Sequence, residues 1–344
     1  MRTEVIEIDP LHPDRAVLAR AAEVLRQGGL VAFPTETVYG LGANALDQAA
    51  VARIFSAKGR PATNPLIVHV CTIEQARTVV SSWPEMANKL AARFWPGPLS
   101  LILKKRPEVP DLVTAGGDTI ALRSPAHAVA QGLIQAAGVP VAAPSANLST
   151  HISATRAEHV LRGLQGCIDL VLDGGPTTGG LESSVIDLTV IPPRLLRPGL
   201  VTPREIEAVI GPIAGGDVMP RPKSASIRSQ VVRSPGMMER HYAPSVPLEC
   251  RSDTWARVNE LCETGLRVGW LTLTPPPGKP PAGLFTIELP ADPQSYSANL
   301  YAALHTLEAM RLDRIVVERP PEGEEWLAVR DRLRRASTPE DEMG

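Results

Sequence analysis

Short apolar runs alternate with amphipathic stretches along the first two hundred residues of the chain. Apolar residues at positions 17, 18, 21 and 25 share one helical face, which predicts a helix over residues 13–27. Runs bounded by Gly, Pro or polar turns predict buried strands. The predicted strands are residues 30–33, 66–70, 99–104, 119–123, 139–149 and 184–188. Further helices are predicted over residues 47–59, 84–94 and 127–137. Thr72 and Gln75 predict a capping box at the start of another helix.

This alternation predicts an α/β protein whose N-terminal domain is a twisted mixed sheet flanked by helices. Residues 267–273, 285–289 and 314–318 are further predicted strands, and residues 295–312 are the longest helical stretch between them. They predict a smaller C-terminal three-layer α/β domain of Rossmann-like type. Since residues 211–247 are rich in Pro, Gly, Ser and Arg, we expect domains over 1–210 and 248–344 joined by a linker over 211–247.

The composition is that of an ordinary globular protein. A net charge of -2 argues against a strongly basic nucleic-acid binder. The four cysteines are far apart in the sequence, so neither a metal site nor a disulfide framework is expected. No apolar run approaches the roughly 18 residues that cross a bilayer, and we expect a cytoplasmic protein without membrane contact.

Polar residues gather in the links between the apolar runs, where function is usually located. Thr35, Glu36 and Thr37 follow the first predicted strand directly, and such strand ends line the ligand crevice of open α/β sheets. Lys58 and Arg60 stand at the exit of a predicted helix and can converge on one anion. Equivalent polar turns contain Ser145 with Asn147, Ser183 with Ser184, and Arg197.

The common nucleotide and nucleophile motifs are absent from the sequence. It contains no Walker A motif, no nucleophile elbow, and no GxGxxG that opens a helix. Any ATP would therefore lie in a crevice of scattered polar groups, and Mg²⁺ would be held mainly by phosphates and water.

Seven motifs together resemble those of the Sua5/YrdC/YciO family in order and spacing. They span roughly residues 14–205 and are FPTETVYGLG, KGRPATNPLIVHV, FWPGPLSLIL, TIALRSPAH, APSANLS, SSVIDL and LLRPG. A further segment, SPGMMERHYAP at residues 234–244, resembles the linker of the longer Sua5 branch, which has an additional C-terminal Sua5 domain.

The resemblance implies an L-threonylcarbamoyladenylate synthase, a nucleotidyltransferase with a YrdC-like catalytic domain. Such an enzyme makes threonylcarbamoyl-AMP and pyrophosphate from L-threonine, bicarbonate and ATP. The implied partners are the downstream machinery that modifies adenosine 37 of tRNAs reading ANN codons and, through weak contact, tRNA. In this branch the linker covers the active site as a lid, which would make Tyr242 a nucleotide contact.

The family's functional positions transfer residue by residue. Lys58 and Arg60 would be the catalytic cations that neutralise phosphate charge. The implied nucleotide contacts are Lys58, Arg60, Asn64, Thr119, Ser145, Asn147, Ser153, Arg197 and Tyr242. The implied threonine contacts are Thr35, His69, Arg123, Ala143 through its backbone, and Ser183. Arg123 can bind the amino-acid carboxylate, and His69 can recognise the hydroxyl group.

Some positions depart from the family pattern. Thr150, His151 and Ile152 replace a common Gly, a basic residue and Pro, so the path of this loop and the role of Ser153 are not given by the resemblance. Two other readings stay open. One is an RNA-binding accessory protein of the YrdC type, and the other is carbamoyl transfer to a different acceptor, as in hydrogenase-maturation relatives.

Overall fold

A computed structural model describes residues 2–215 and 241–337 of the chain. Contacts divide these residues into two compact units. The N-terminal unit contains 2–149, 154–178 and 182–215, whereas 150–153 and 179–181 group with 241–337 in the C-terminal unit. Most of the expected linker and lid, residues 216–240, lies outside the described residues, and the expected domain boundaries stay a prediction.

The N-terminal unit contains seven helices and ten strands among its described residues. The helices are α1 (Arg15–Arg26), α2 (Gln48–Lys58), α3 (Ile73–Arg77), α4 (Glu85–Phe94), α5 (Ala128–Ala137), α6 (Ala157–Leu164) and α7 (Pro203–Ile210). The strands are β1 (Glu4–Glu7), β2 (Val31–Phe33), β3 (Gly40–Asn44), β4 (Ile67–His69), β5 (Leu99–Lys104), β6 (Thr119–Arg123), β7 (Val141–Ala142), β8 (Leu170–Asp173), β9 (Ser184–Asp187) and β10 (Arg194–Arg197).

The ten strands form one mixed sheet in the order β1-β8-β2-β3-β7-β4-β6-β5-β9-β10. Parallel pairs such as β4 with β6 adjoin antiparallel pairs such as β5 with β6, which confirms the expected mixed sheet. One face carries the main core with α2, α4 and α6, and α1 and α5 cover the β1–β7 half of the other face. The rest of that second face carries the polar residues described below.

Local sequence signals explain where several helices begin and end. The Asp14 carboxylate accepts the Ala16 N–H at the start of α1. Asp47 accepts the Ala49 N–H at the start of α2, and Gly59 ends that helix with a left-handed φ of 59°. These observations confirm both predicted helices.

Two local predictions differ from the structure. The Thr72 hydroxyl accepts the Gln75 N–H, as in the predicted capping box. The Gln75 side chain, however, accepts the N–H of Cys71 and not that of Thr72, so the second bond of the box is missing. The strand predicted over 139–149 is reduced to Val141–Ala142, since prolines at 140 and 144 have no N–H to donate to a ladder.

The C-terminal unit is a separate α/β layer structure. Its elements are β11 (Leu248–Arg251), α8 (Thr254–Glu263), β12 (Val268–Thr272), β13 (Leu284–Glu288), α9 (Pro293–Ala309), β14 (Arg314–Glu318) and α10 (Leu327–Ala336). The strands form a parallel sheet in the order β11-β14-β12-β13. Val258 of α8 packs with Trp270 of β12, whereas Gly269 faces Leu307 of α9 on the opposite side. Helices on both faces confirm the three-layer prediction.

The longest helix among the described residues, α9, has 17 residues, and none of the described helices combines the length and hydropathy that a bilayer-crossing segment needs.

Candidate functional site

One face of the N-terminal sheet has a small apolar cluster with polar residues around it. Ile67, Ala121, Ile102 and Val185, on four adjacent strands, form the cluster. Alternate residues of a strand share a face, so the neighbours two positions away lie on this face as well. These polar neighbours are His69 on β4, Thr119 and Arg123 on β6, and Ser100 on β5, and Arg197 of β10 pairs with Val185.

Arg123 joins this face to the polar turn after β2. One of its terminal nitrogens lies 2.8 Å from the Glu36 carboxylate, 2.8 Å from the Thr37 hydroxyl and 3.3 Å from the Thr35 hydroxyl. The Thr35 hydroxyl also donates to the Val38 carbonyl at 2.6 Å. The ion pair is buried, with 4% of the Arg123 side chain and 11% of the Glu36 side chain exposed. Thr35 and Arg123, predicted as threonine contacts, therefore lie together.

His69 stands beside Arg123, since the two residues are partners in the parallel pairing of β4 and β6. Burial, with the Arg123 guanidinium, lowers the pKa of His69 to about 3. The imidazole is therefore neutral at physiological pH. Its Nδ1 is buried and has no hydrogen-bond partner among residues 2–215 and 241–337, so it remains able to bond a ligand hydroxyl.

Lys58 supports the Ser-Ala-Asn turn from within. Its Nζ donates to the Ser145 carbonyl at 2.6 Å and to the Asn147 carbonyl, and the Lys58 carbonyl accepts the Ser149 N–H at 2.9 Å. Only 2% of Lys58 is exposed. Burial, together with the nearby Arg60, holds the pKa of Lys58 well below its ordinary value. This brings together three of the predicted nucleotide contacts.

Arg60 has a matching role on the next segment of chain. Its Nε donates to the Asn64 carbonyl at 3.0 Å and a terminal nitrogen donates to the Pro65 carbonyl at 2.7 Å. The sequence prediction that Lys58 and Arg60 can converge on one anion did not foresee these backbone partners. Both cations bind carbonyl groups of the site's own walls.

The two walls separate where β7 leaves β4. The Ala143 N–H still donates to the Ile67 carbonyl of β4, but the next bonds go to the β3 side, from Leu41 N–H to the Pro144 carbonyl and from Ala146 N–H to the Tyr39 carbonyl. The sheet therefore forks beyond Ala143. Lys58 binds carbonyls on one branch of the fork, and Arg60 binds carbonyls on the other.

Ser183 and Arg197 form a third group on the same sheet face. The Arg197 Nε and a terminal nitrogen donate to the Ser183 carbonyl at 3.1 Å and 3.0 Å, and the terminal nitrogen also lies 3.1 Å from the Ser183 hydroxyl. The Ser100 hydroxyl lies 2.9 Å from that of Ser183. A predicted threonine contact and a predicted nucleotide contact thus bind each other directly.

Thr119 lies on the same face but at the other end of β6 from Arg123. Four residues of strand correspond to about 13 Å, so Thr119 stands apart from the Arg123 group.

Ser153 and Tyr242 belong to the C-terminal unit. The Ser153 carbonyl lies 3.1 Å from His305 Nε2, and the Tyr242 ring stacks on Tyr301 at 5.9 Å between centroids. Thr150 takes a left-handed φ of 71°, and its carbonyl accepts the Ala243 N–H at 3.0 Å. The loop therefore adopts a conformation that favours glycine although glycine is absent. Whether Ser153 and Tyr242 contact nucleotide stays a prediction.

Two participants were not assigned from the sequence. Glu36 was recognised as a polar turn residue without a role, and Ser100 was read as part of an apolar strand. A hydroxyl within the otherwise apolar run LSLILK is the signal that could have indicated Ser100.

Comparison with known proteins places the chain in a family. A family model for Sua5, YciO and YrdC, described as "Telomere recombination", matches residues 23–199, and the model "Threonylcarbamoyl-AMP synthase, C-terminal domain" matches residues 201–338. The threonylcarbamoyl-AMP synthase of Pyrococcus abyssi is 44% identical over 92% of this chain and 93% of its own length. That of Bacillus subtilis is 42% identical over 96% and 95%.

Solved structures agree with these relatives. The crystal structure of P. abyssi Sua5 complexed with L-threonine superposes with a TM-score of 0.88, at 43% identity over 97% of this chain and 98% of that one. E. coli YciO matches 58% of this chain with a TM-score of 0.53. The chain belongs to the Sua5/YciO/YrdC family and, within it, to the threonylcarbamoyl-AMP synthases, nucleotidyl-transferring enzymes that have a Sua5 C-terminal domain.

Proposed function

We propose that this chain makes threonylcarbamoyl-AMP and pyrophosphate from L-threonine, bicarbonate and ATP. The observation that carries the proposal is the pairing of Arg123 with a neutral His69 on one sheet face. A guanidinium beside an uncharged hydrogen-bonding ring is suited to a small amino acid that has a carboxylate and a hydroxyl.

Recognition of threonine follows from these two residues. Arg123 binds the carboxylate, and Thr35, Ser183 and the Ala143 backbone complete the contacts. His69 recognises the substrate hydroxyl. A site that hydrogen-bonds a hydroxyl can reject the analogue without it strongly, because the buried partner would otherwise stay unpaired.

The chemical step needs no covalent enzyme intermediate. The threonine amine and bicarbonate form a carbamate, and a carbamate oxygen attacks the α-phosphorus of ATP and expels pyrophosphate. The protein holds the reactants in line and neutralises phosphate charge. Lys58 and Arg60 supply that charge. A protonated Lys58 has three N–H donors, and two of them bind the Ser145 and Asn147 carbonyls.

The remaining nucleotide contacts are Asn64, Thr119, Ser145, Asn147, Ser153, Arg197 and Tyr242. Mg²⁺ enters with the triphosphate and takes its ligands mainly from phosphate oxygens and water. The product passes to the machinery that transfers threonylcarbamoyl to adenosine 37 of tRNAs reading ANN codons, in the cytoplasm, and this chain itself contacts tRNA weakly.

Pyrophosphate release tests the proposal. Purified protein is supplied with ATP, bicarbonate and each amino acid in turn, and release is expected with threonine alone. Equal rates with threonine and valine, or no threonine-dependent release, would refute it.

Substitution of His69 tests whether this residue determines the selectivity for threonine over valine. His69→Leu should lower the threonine-to-valine ratio of kcat/KM by at least about a hundredfold. His12→Leu, at an exposed histidine, is the matched control and should leave the ratio unchanged.

A further inference from the structure

The Glu36–Arg123 ion pair is only partly satisfied. The pair is joined through one carboxylate oxygen, Oε2, and one terminal nitrogen of Arg123, 2.8 Å apart. The other oxygen, Glu36 Oε1, and Arg123 Nε are both buried, and neither has a hydrogen-bond partner among the described residues. A buried ion pair thus presents one unused acceptor and one unused donor.

This arrangement differs from that of a simple charge-neutralising pair. A carboxylate that served only to neutralise Arg123 could use both oxygens in the two-bond geometry that arginine favours. Here the bonded nitrogen of Arg123 also contacts the hydroxyls of Thr35 and Thr37, while Nε is left over. Buried polar groups are normally hydrogen-bonded, so the two unused atoms indicate a ligand with complementary groups.

A zwitterionic amino acid has these groups. Its α-carboxylate accepts from Arg123 Nε, and its α-ammonium donates to Glu36 Oε1. Because both groups are attached to the same carbon atom, a single amino acid offers a partner to each unused atom of the ion pair.

We propose that Glu36 binds the α-ammonium group of the amino-acid substrate and accepts one proton from it before the amine reacts. The inference rests on the proposed function. The ammonium and the Glu36 carboxylate become a neutral amine and a carboxylic acid. The amine nitrogen then bonds to the carbon of bicarbonate, which loses one water molecule and leaves a carbamate anion.

The assignment makes Glu36 a catalytic residue, because its oxygen touches the reacting nitrogen. Its position also explains why the polar turn follows β2 directly. The turn places Glu36 beside Arg123, so one pair of residues can hold both charged ends of the substrate.

Calorimetry with two ligands tests the inference. L-Threonine and (R)-3-hydroxybutanoate differ only in the amino group. Wild-type protein should bind threonine at least tenfold more tightly than the analogue. Glu36→Gln should bind threonine at least tenfold more weakly than wild type, whereas its affinity for the analogue should change less than threefold. The exposed Glu108→Gln is the matched control and should behave as wild type.

Turnover provides a second readout. At saturating threonine, Glu36→Gln should release pyrophosphate at least tenfold more slowly than wild type. Glu36→Asp, which keeps the carboxylate, should recover part of the rate.

Two results would overturn the inference. One is an unchanged threonine-to-analogue affinity ratio in Glu36→Gln, with ATP binding and circular dichroism showing a folded variant. The other is equal affinity of wild-type protein for both ligands, which decides the question even if the variant does not fold. The proposed function fails separately, if wild-type protein releases no threonine-dependent pyrophosphate.

Discussion

The burial of His69 leads to a measurable dependence of stability on pH. In the unfolded chain the pKa of a histidine is about 6.5. In the folded protein burial and the Arg123 guanidinium lower the pKa of His69 to about 3. Between these values the unfolded state binds a proton at His69 that the folded state does not. The folded protein therefore loses stability as the pH falls below about 6.5.

The size of the effect follows from the shift. One pKa unit corresponds to about 1.36 kcal/mol, so acidification from pH 6.5 to pH 5 costs about 2 kcal/mol at this residue. His69→Gln has no such proton to bind. The free energy of unfolding of wild type, relative to that of the variant, should therefore fall by about 2 kcal/mol between pH 7 and pH 5.

Two assays check this value. Urea unfolding of both proteins at pH 7, 6 and 5 measures the free-energy difference. Long-range ¹⁵N–¹H spectra follow the imidazole rings of the seven histidines, and the His69 signal is assigned as the one absent from the variant. It should remain neutral down to pH 5. A His69 midpoint near 6.5, or an unfolding difference that does not change with pH, would refute the reasoning.

Three further substitutions test other features of the fold. Lys58→Met should lower the free energy of unfolding by about 2–4 kcal/mol, because the Ser145 and Asn147 carbonyls lose their donor. Thr150→Gly should raise the thermal midpoint and increase the free energy of unfolding by about 0.5–1 kcal/mol, because glycine adopts the left-handed φ of this position without strain. Asp331→Asn should cost about 3 kcal/mol, because Arg332, Arg334 and Arg335 lose the charge of a buried carboxylate partner. Although burial raises it, the neighbouring arginines hold the pKa of Asp331 below its ordinary value. This difference should therefore begin to shrink below about pH 4, the pKa of an unfolded aspartate, and vanish only below the lower pKa of the folded state.

Matched variants give the contradicting outcomes. Lys104→Met, at an exposed ion pair, should cost under about 0.5 kcal/mol. A similar loss for both lysines would show that the bonds from Lys58 to the two carbonyls do not matter. Thr150→Ala keeps the left-handed strain, so an equal gain in the alanine variant would argue against relief of strain. Glu260, whose side chain is 65% exposed, provides the third control, and Glu260→Gln should leave the free energy of unfolding nearly unchanged. An Asp331→Asn protein as stable as this control would contradict the third prediction.

Local signals made much of the fold predictable. The helix between Asp47 and Gly59 has its cap and its stop in the sequence, and β5 and β6 are apolar runs of strand length. Strand β3 was missed because Gly40 and Gly42 lower strand propensity. The structure explains the second of these glycines: a Cβ on Gly42 would lie 2.8 Å from the Phe33 ring. Pairings between distant segments, such as β1 with β8, have no local signal.

The site was predictable in its residue types more than in its contacts. Polar side chains placed directly after apolar runs indicated Thr35, Arg123 and the Ser145 turn. The role of Ser100 depends on the parallel pairing of β5 with β9, which brings together residues more than eighty positions apart. Carbonyl partners of Lys58 and Arg60 likewise depend on where the chain leaves the sheet, and periodicity does not contain that information.

The bend at residues 145–147 is already ordered by bonds on several sides. Lys58 Nζ, the Tyr39 carbonyl and the Ser149 amide each take part, so this wall loses its conformational entropy when the chain folds. A nucleotide that arrives later does not have to order it. Such preorganisation favours affinity, and amide hydrogen exchange at Ala146 should be slow before any ligand is added.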